Sequence, residues 1–394
     1  MSHMCSQDWD PKSAAVLRDQ RAACDEMRER CPVAYSDLLG WSLFRHEDVV
    51  RVLNDPDTFS SVVSRNLSVP NGIDPPEHGQ YRRVIERHFE PQAMQAFEPQ
   101  CRSIAADLVR SLRGRVELEL MGDFAHPFAG RVQCAFLGWP ASMHEPLRLW
   151  AQKNHAATLA QDRPAMAEIA HEFSDHVVGL LQPRRAAGTP GNEDVLASLA
   201  SQQVKGRALN DDEIVSILRN WTVGEISTIA AAVGVVAQYL AEHTDLQREL
   251  RTQPALLPGA IEEILRLYGP LLANRRVTTR AVEIGGHTIG AGECISLNWV
   301  AANRDGRVLT DPQSFRLDRD ASANLLYGAG IHICPGAPLA RMELRVALQA
   351  LLDGTTGIEP MAQCPPSHAV FPASGYATVP LHITFPSQLV ADQR

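Results

Sequence analysis

Val223, Ile226, Ala230, Val233, Ala237 and Leu240 follow one another at steps of 3, 4, 3, 4 and 3 residues, the spacing of one helix face. Asn210 stands ahead of this run as an N-cap, and Glu213 completes a capping-box pair with it. Asp211 and Asp212 complement the helix dipole. The pattern predicts an unbroken helix to about Glu242, roughly 48 Å long and apolar enough to cross the middle of the molecule. Further helices are predicted over Pro258 to Tyr268, stopping at Gly269-Pro270, and from Ala337 to about Leu352. From Arg275 the pattern changes to short strands and turns: Val282–Ile284, His287–Ile289 and Cys294–Asn298. Near the N-terminus, Val33–Tyr35 and Trp41–Phe44 flank a turn at Ser36 to Gly40, and a short helix follows over Glu47–Leu53. Helix dominates from Gln80, Pro183 to Asp194 reads as an inter-helix loop, and strand pieces close the pattern at Leu381–Phe385. The fold class expected is mainly α with a smaller β region, without internal repeats.

A chain of 394 residues is long enough for two domains, but no linker divides it, so one domain over 1–394 is expected. Met1 to Met4 reads as a cloning remnant. The net charge of −9 argues against nucleic acid as the main partner. No apolar run reaches the ~20 residues of a bilayer span and no signal segment opens the chain, so the expected location is the cytoplasm, without membrane attachment. Eight cysteines are scattered without a framework, and reduced thiols are expected.

The most informative stretch is Tyr327-Gly328-Ala329-Gly330-Ile331-His332-Ile333-Cys334-Pro335-Gly336. A thiolate is favoured where backbone N–H groups and a helix N-terminus supply positive potential. Gly328, Gly330 and Gly336 let the chain fold tightly beneath a flat ligand, which is the sequence form of a single axial sulfur ligand. A lone thiol can also be a small buried hydrophobe, a zinc ligand or half of a Cys–His nucleophile pair. His332-x-Cys334 has no Cys-x-x-Cys companion for zinc, and no acyl-transfer signature accompanies it. The glycines favour haem.

This stretch resembles the cysteine loop of the cytochrome P450 superfamily, written Phe-Gly-x-Gly-x-His/Arg-x-Cys-x-Gly, with Tyr327 in place of the usual Phe. Tyr keeps a flat ring near the sulfur, but its hydroxyl needs a partner. The resemblance implies haem b (iron protoporphyrin IX) with Cys334 as axial iron ligand, in a triangular-prism fold with haem between the central helix and the cysteine helix. It also implies that Glu263 and Arg266 form a buried structural pair joined by a downstream arginine, Arg319 in preference to Arg316. Asp74-Pro75-Pro76-Glu77-His78-Gly79-Gln80-Tyr81-Arg82 resembles the family's Asp-Pro-Pro-x-His-x-x-x-Arg. By that likeness His78 and Arg82, with Arg276 and His332, hold the haem propionates. Taken bare, the first pair would be a surface i,i+3 contact and the second a solvated helix start.

The family's central helix usually reads Ala/Gly-Gly-x-Asp/Glu-Thr. Here Val223-Gly224-Glu225-Ile226-Ser227-Thr228 has Ile226 where the acid belongs, Glu225 one place early, and Ser227 followed by Thr228 at the alcohol. A glycine within a helix costs about 1 kcal/mol against alanine, which points to a purpose such as a widened turn over the haem. Glu225, Ser227 and Thr228 are the expected catalytic relay for the two protons that oxygen cleavage needs. Back-bonding of either hydroxyl to its own helix is the bland alternative.

A narrower likeness is to haem domains of self-sufficient bacterial P450s fused to an FMN and [2Fe–2S] reductase, carried by Asn220-Trp221-Thr222-Val223-Gly224-Glu225 and by Leu326 to Arg341. The expected function is monooxygenation: one oxygen atom from O2 enters a small apolar or aromatic substrate, by hydroxylation or O-dealkylation. Electrons come from a ferredoxin or flavin reductase, docked on Arg82, Arg83, Arg87, Arg341 and Arg345. Two rivals are a peroxide-driven peroxygenase and a haem-thiolate sensor or electron carrier without oxygen insertion. The distal pocket is expected from Ser60 to Ile73, the surroundings of Val223 and Ser227, and Leu271-Leu272-Ala273.

Overall fold

The computed structural model describes residues 8–187, 194–371 and 373–386. Met1 to Met4 and the middle of the 183–194 segment lie outside those residues. The mainly α architecture with a smaller β region expected from the sequence is observed.

The central helix runs from Asp211 to Glu242 without interruption. Its start is fixed by a capping box: the Asn210 side chain accepts from the Glu213 N–H at 2.9 Å, and the Glu213 carboxylate accepts from the Asn210 N–H at 2.9 Å. Glu213 also receives both Nη atoms of Arg207 at 2.8 Å and the Tyr81 hydroxyl, so a local cap becomes a tertiary anchor. From Ile229 to Ala241 every residue is buried. The helix has the length and hydropathy of a bilayer span, yet 67% of its most apolar window is buried inside the fold, as befits a core helix.

Around it pack His126–Leu137, Leu257–Tyr268 and the cysteine helix Ala337–Gly354, which itself lies along Pro91–Ser111. Burial of Val233, Val236 and Leu240 on one side and Leu344, Leu348 and Leu351 on the other joins these helices into one core. Each such side chain contributes about 1.5–3 kcal/mol by leaving water. The five-stranded sheet has the order Val33–Ser36, Gly40–Leu43, Cys294–Asn298, Ala273–Thr278, Phe59–Ser60. Only the Gly40–Leu43 and Cys294–Asn298 pair is parallel, with Ser296 opposite Ser42. Arg276 pairs in register with Ile295.

Two local expectations are corrected. Pro183 does not begin a loop: the helix Arg163–Ala187 continues through it, and the next helix starts at Val195 behind an Asp194 cap. The central helix stays regular α-helix through Gly224, without a widened turn.

Candidate functional site

Cys334 sits where the loop after the 3-10 turn Gly330–His332 enters the cysteine helix. Its N–H donates to the Tyr327 carbonyl at 2.9 Å, closing the loop on itself. Gly328 and Gly330 have φ of +72° and +68°, a region that favours glycine. A Cβ on Gly330 would also lie 2.2 Å from the Leu53 carbonyl oxygen. The loop is therefore held against the helix His46–Leu53 by a contact only glycine allows. The exposed surface of Cys334 faces a cavity rather than bulk water. Burial pushes the thiol up, while the N–H groups of Gly336 and Ala337 pull it down.

That cavity, of about 320 Å³, lies between the cysteine loop and the central helix and is lined by Gly224, Glu225, Thr228, Leu265, Arg276 and Cys334 among others. A Cβ on Gly224 would meet nothing within 4 Å. The glycine thus keeps space open where the helix passes the thiol, and this explains its presence in place of the widened turn. Among the described residues no group of three or more His, Cys, Asp or Glu gathers to hold an ion directly, so a metal on Cys334 would take its other donors from a ligand.

Four nitrogen-bearing side chains from three segments, His78, Arg82, Arg276 and His332, gather beside the cavity. The rings of His78 and His332 lie with centroids 4.3 Å apart at a 57° tilt, and the Nε2 of each is buried without a hydrogen-bond partner among the described residues. Burial and the neighbouring cations hold His332 down at about 3, and burial followed by Arg82 lowers His78. Both rings are therefore neutral donors at pH 7. Arg82 donates to Glu86 at 2.6 Å, while Arg276, 8% exposed, has one side-chain hydrogen bond, to the Arg275 carbonyl, and no ion-pair partner among the described residues. Orphaned imidazole nitrogens beside a desolvated guanidinium call for carboxylates from outside the protein. The porphyrin of haem carries two, and the open glycine face and lone sulfur suit its flat ring, so the residues present fit the group.

Glu263 is the hub of a buried ion network. Arg266 reaches it at 2.7 and 2.9 Å, Arg319 at 2.8 Å, and the Arg316 N–H at 3.1 Å. The Arg316 side chain instead pairs with Asp318. Arg266 and Arg319 then bind the Asn303, Pro312, Thr310, Asp311 and Ser314 carbonyls, tying the segment before the cysteine loop to the helix Leu257–Tyr268.

The central-helix residues part company. Glu225 and Thr228 line the cavity, whereas Ser227 is exposed on the neighbouring face with Val223. Glu225 is turned toward Glu343 and Cys101 instead of toward Ser227. Glu343, from the cysteine helix, is fully buried, and its carboxyl is in hydrogen-bond contact with that of Glu225. Burial raises Glu225, and burial together with Glu225 raises Glu343 well above the usual carboxylate range, so Glu343 is the member of the pair that holds its proton the longer as pH rises. Sequence reasoning missed Glu343. Its signal was a carboxylate at an apolar helix position, between Met342 and Leu344.

The expected cationic docking face is also redrawn. Arg82 is inside, Arg341 pairs with Glu262 at 3.0 Å and stacks on the Tyr327 ring at 4.4 Å, and Arg345 pairs with Glu98 at 2.6 Å. Arg83 is exposed without a charged partner among the described residues, and Arg87 bonds Gln202. The Tyr327 hydroxyl is buried, with the Glu262 carboxylate near it.

A family model for cytochrome P450 matches residues 142–355. The chain is 34% identical over 353 residues to cyclomarin C epoxidase CymV of Salinispora arenicola, covering 85% of this chain and 88% of that one. It is 31% identical to the erythromycin C-12 hydroxylase of Saccharopolyspora erythraea, covering 85% and 88%. Among solved structures, CYP109Q5 of Chondromyces apiculatus superposes with a TM-score of 0.87 at 28% identity, over 96% of this chain and 99% of that one. P450 EryK bound to erythromycin B gives 0.85 at 28% identity, over 94% and 97%. These relatives are matched over nearly their whole length, which leaves them no room for an appended reductase and does not support the narrower likeness to fused haem domains. With its fold, cysteine loop and haem-fitting cavity, the chain belongs to the cytochrome P450 family of bacterial haem-thiolate monooxygenases.

Proposed function

We propose that the chain is a single haem-thiolate unit that inserts one oxygen atom of O2 into an apolar C–H position of an organic substrate. Hydroxylation is the first outcome of this reading, and O-dealkylation is the same insertion next to an ether oxygen. The observation that carries it is the Cys334 thiol sharing an open cavity with Gly224, Glu225 and Thr228 of the central helix. When bound, haem supplies oxygen activation and electron storage, with thiolate ligation favouring O–O cleavage. Cys334 would hold its iron, and His78, Arg82, Arg276 and His332 its carboxylates.

The protein's own part is placement and protons. Thr228 lines the cavity together with Glu225, three residues before it, so its Oγ1 is the proposed donor to the cavity. The Glu225 and Glu343 carboxyls, both raised by burial, are the proposed proton source behind it. Ser227, which lines neither the cavity nor the groove, is given no part in this relay. The groove leading in has a volume of about 1860 Å³, well beyond a site for a drug-sized ligand, so a substrate larger than the small molecule first expected is proposed. Electrons are proposed to come from a separate ferredoxin or flavin reductase, approaching the exposed Arg83 and Arg87.

Reduction under carbon monoxide tests the reading. The strongly red-shifted band of thiolate-ligated haem is expected, and its loss in Cys334→Ala; a band of imidazole type in the wild-type protein would overturn it.

A further inference from the structure

The large groove is lopsided in charge. Arg65, Arg163, Arg219 and Arg275 line it, from a loop, a helix start, the central helix and a strand, against two carboxylates, Asp37 and Asp212. In a chain of net charge −9 this is a local reversal of sign. None of the four arginines has a carboxylate partner among the described residues. Arg65, Arg163 and Arg275 are exposed and make no side-chain hydrogen bond there, and Arg219 gives one N–H to the Leu67 carbonyl at 2.7 Å. Arg219 is partly desolvated as well, and burial lowers it with no anion to compensate. The same groove leaves Val63, Leu67 and Met166 uncovered, at 47, 46 and 40% exposure. Surface arginines elsewhere on this protein are mostly paired, as Arg148 is with Glu145 and Arg307 with Glu29. Asn71, Asn274 and Arg276 line both this groove and the cavity at Cys334, so the two spaces adjoin.

We propose that the groove selects a long or bulky amphipathic carboxylate, its acid group held by the arginines of the rim and its apolar body extended toward the cavity at Cys334. Unpaired guanidiniums supply charge-assisted hydrogen bonds to a carboxylate, and the exposed apolar side chains supply the area that such a molecule covers. The negative charge of the rest of the surface would repel the acid elsewhere and leave this groove as its point of entry. This rests on the oxygenase reading of the site that the groove feeds.

The test compares hexadecanoic, dodecanoic and cholic acids with their methyl esters on the haem-loaded protein, by the spin-state difference spectrum and by calorimetry. At least one acid should bind about tenfold or more tightly than its ester, the value of a charge-assisted hydrogen bond, and the preference should shrink as salt rises. Arg65→Gln combined with Arg275→Gln, both exposed, should lower the acid preference several-fold while leaving ester binding unchanged. Arg219→Gln should do the same, with a circular-dichroism melt as a check on the loop it anchors through Leu67. Equal affinity for every acid and its ester, salt-independent preference, or no binding by any acid while the carbon monoxide band is normal would overturn the proposal. An abnormal carbon monoxide band would instead overturn the oxygenase reading, and this inference with it.

Discussion

Replacing Glu263 by glutamine probes the scaffold beneath the cysteine loop. In the folded protein its carboxylate accepts four hydrogen bonds, from Arg266 twice, Arg319 once and the Arg316 N–H. The side chains of Arg266 and Arg319 are 1% and 8% exposed, so water cannot replace what is lost. Glutamine offers one acceptor oxygen and turns an N–H2 group toward two guanidiniums. Breaking a buried pair by removing one partner costs about 3–5 kcal/mol, a large part of the roughly 5–15 kcal/mol that stabilises a typical domain. The neighbouring Glu262→Gln is an internal control on the same helix, because Glu262 pairs with an Arg341 side chain that is 54% exposed. That pair should contribute about 0–1 kcal/mol. Urea unfolding of both variants, followed by tryptophan fluorescence and haem absorbance, gives the comparison when the denaturant slopes agree. Should Glu263→Gln fail to fold, Arg319→Gln leaves Glu263 with Arg266 and should show a smaller loss. Losses for Glu263→Gln and Glu262→Gln that agree within about 1 kcal/mol would refute the idea that this network holds the loop.

Gly330→Ala combines an unfavourable φ with a Cβ 2.2 Å from the Leu53 carbonyl oxygen, so it should lower haem content, whereas Gly336→Ala, whose Cβ would lie 3.9 Å from the Cys334 sulfur, should keep haem; retained haem in the first variant would contradict this. Burial raises Glu343, so the folded state holds a proton that the unfolded chain gives up above about pH 4.3. Stability from this group is thus full at low pH and falls as pH rises through that window, and Glu343→Gln should gain on the wild type between pH 5 and 8 in urea midpoints. Thr228→Val should divert more reducing equivalents to peroxide than Ser227→Ala, because only Thr228 lines the cavity; equal coupling in both would reject the assignment. Arg83→Glu should slow reduction by a ferredoxin in stopped flow without changing haem content, since Arg83 is exposed and has no charged partner among the described residues; unchanged rates would remove it from the docking face.

Elements governed by neighbours in the chain were legible. The Asn210 cap, the strands at Val282 and His287 and the breaks at Gly269-Pro270 fall where local periodicity and turn chemistry put them. Pro183 was not, because packing carries a helix through a proline that local preference would use to end it. At the site, Glu263, Arg266 and Arg319 were nameable by likeness, but their union across 56 residues of sequence is a tertiary fact.

The order of residues determined that one thiol, wrapped in glycines ahead of a helix, would be the centre of the chemistry, since φ freedom and helix polarity are properties of the local chain. Folding alone decided which face of the central helix meets that thiol. Glu225 and Ser227 stand two residues apart yet look in different directions, and Glu225 faces Glu343, a residue 118 positions away. Direction is set by packing between helices, and so are the desolvation and charge that give a carboxyl or an arginine its task.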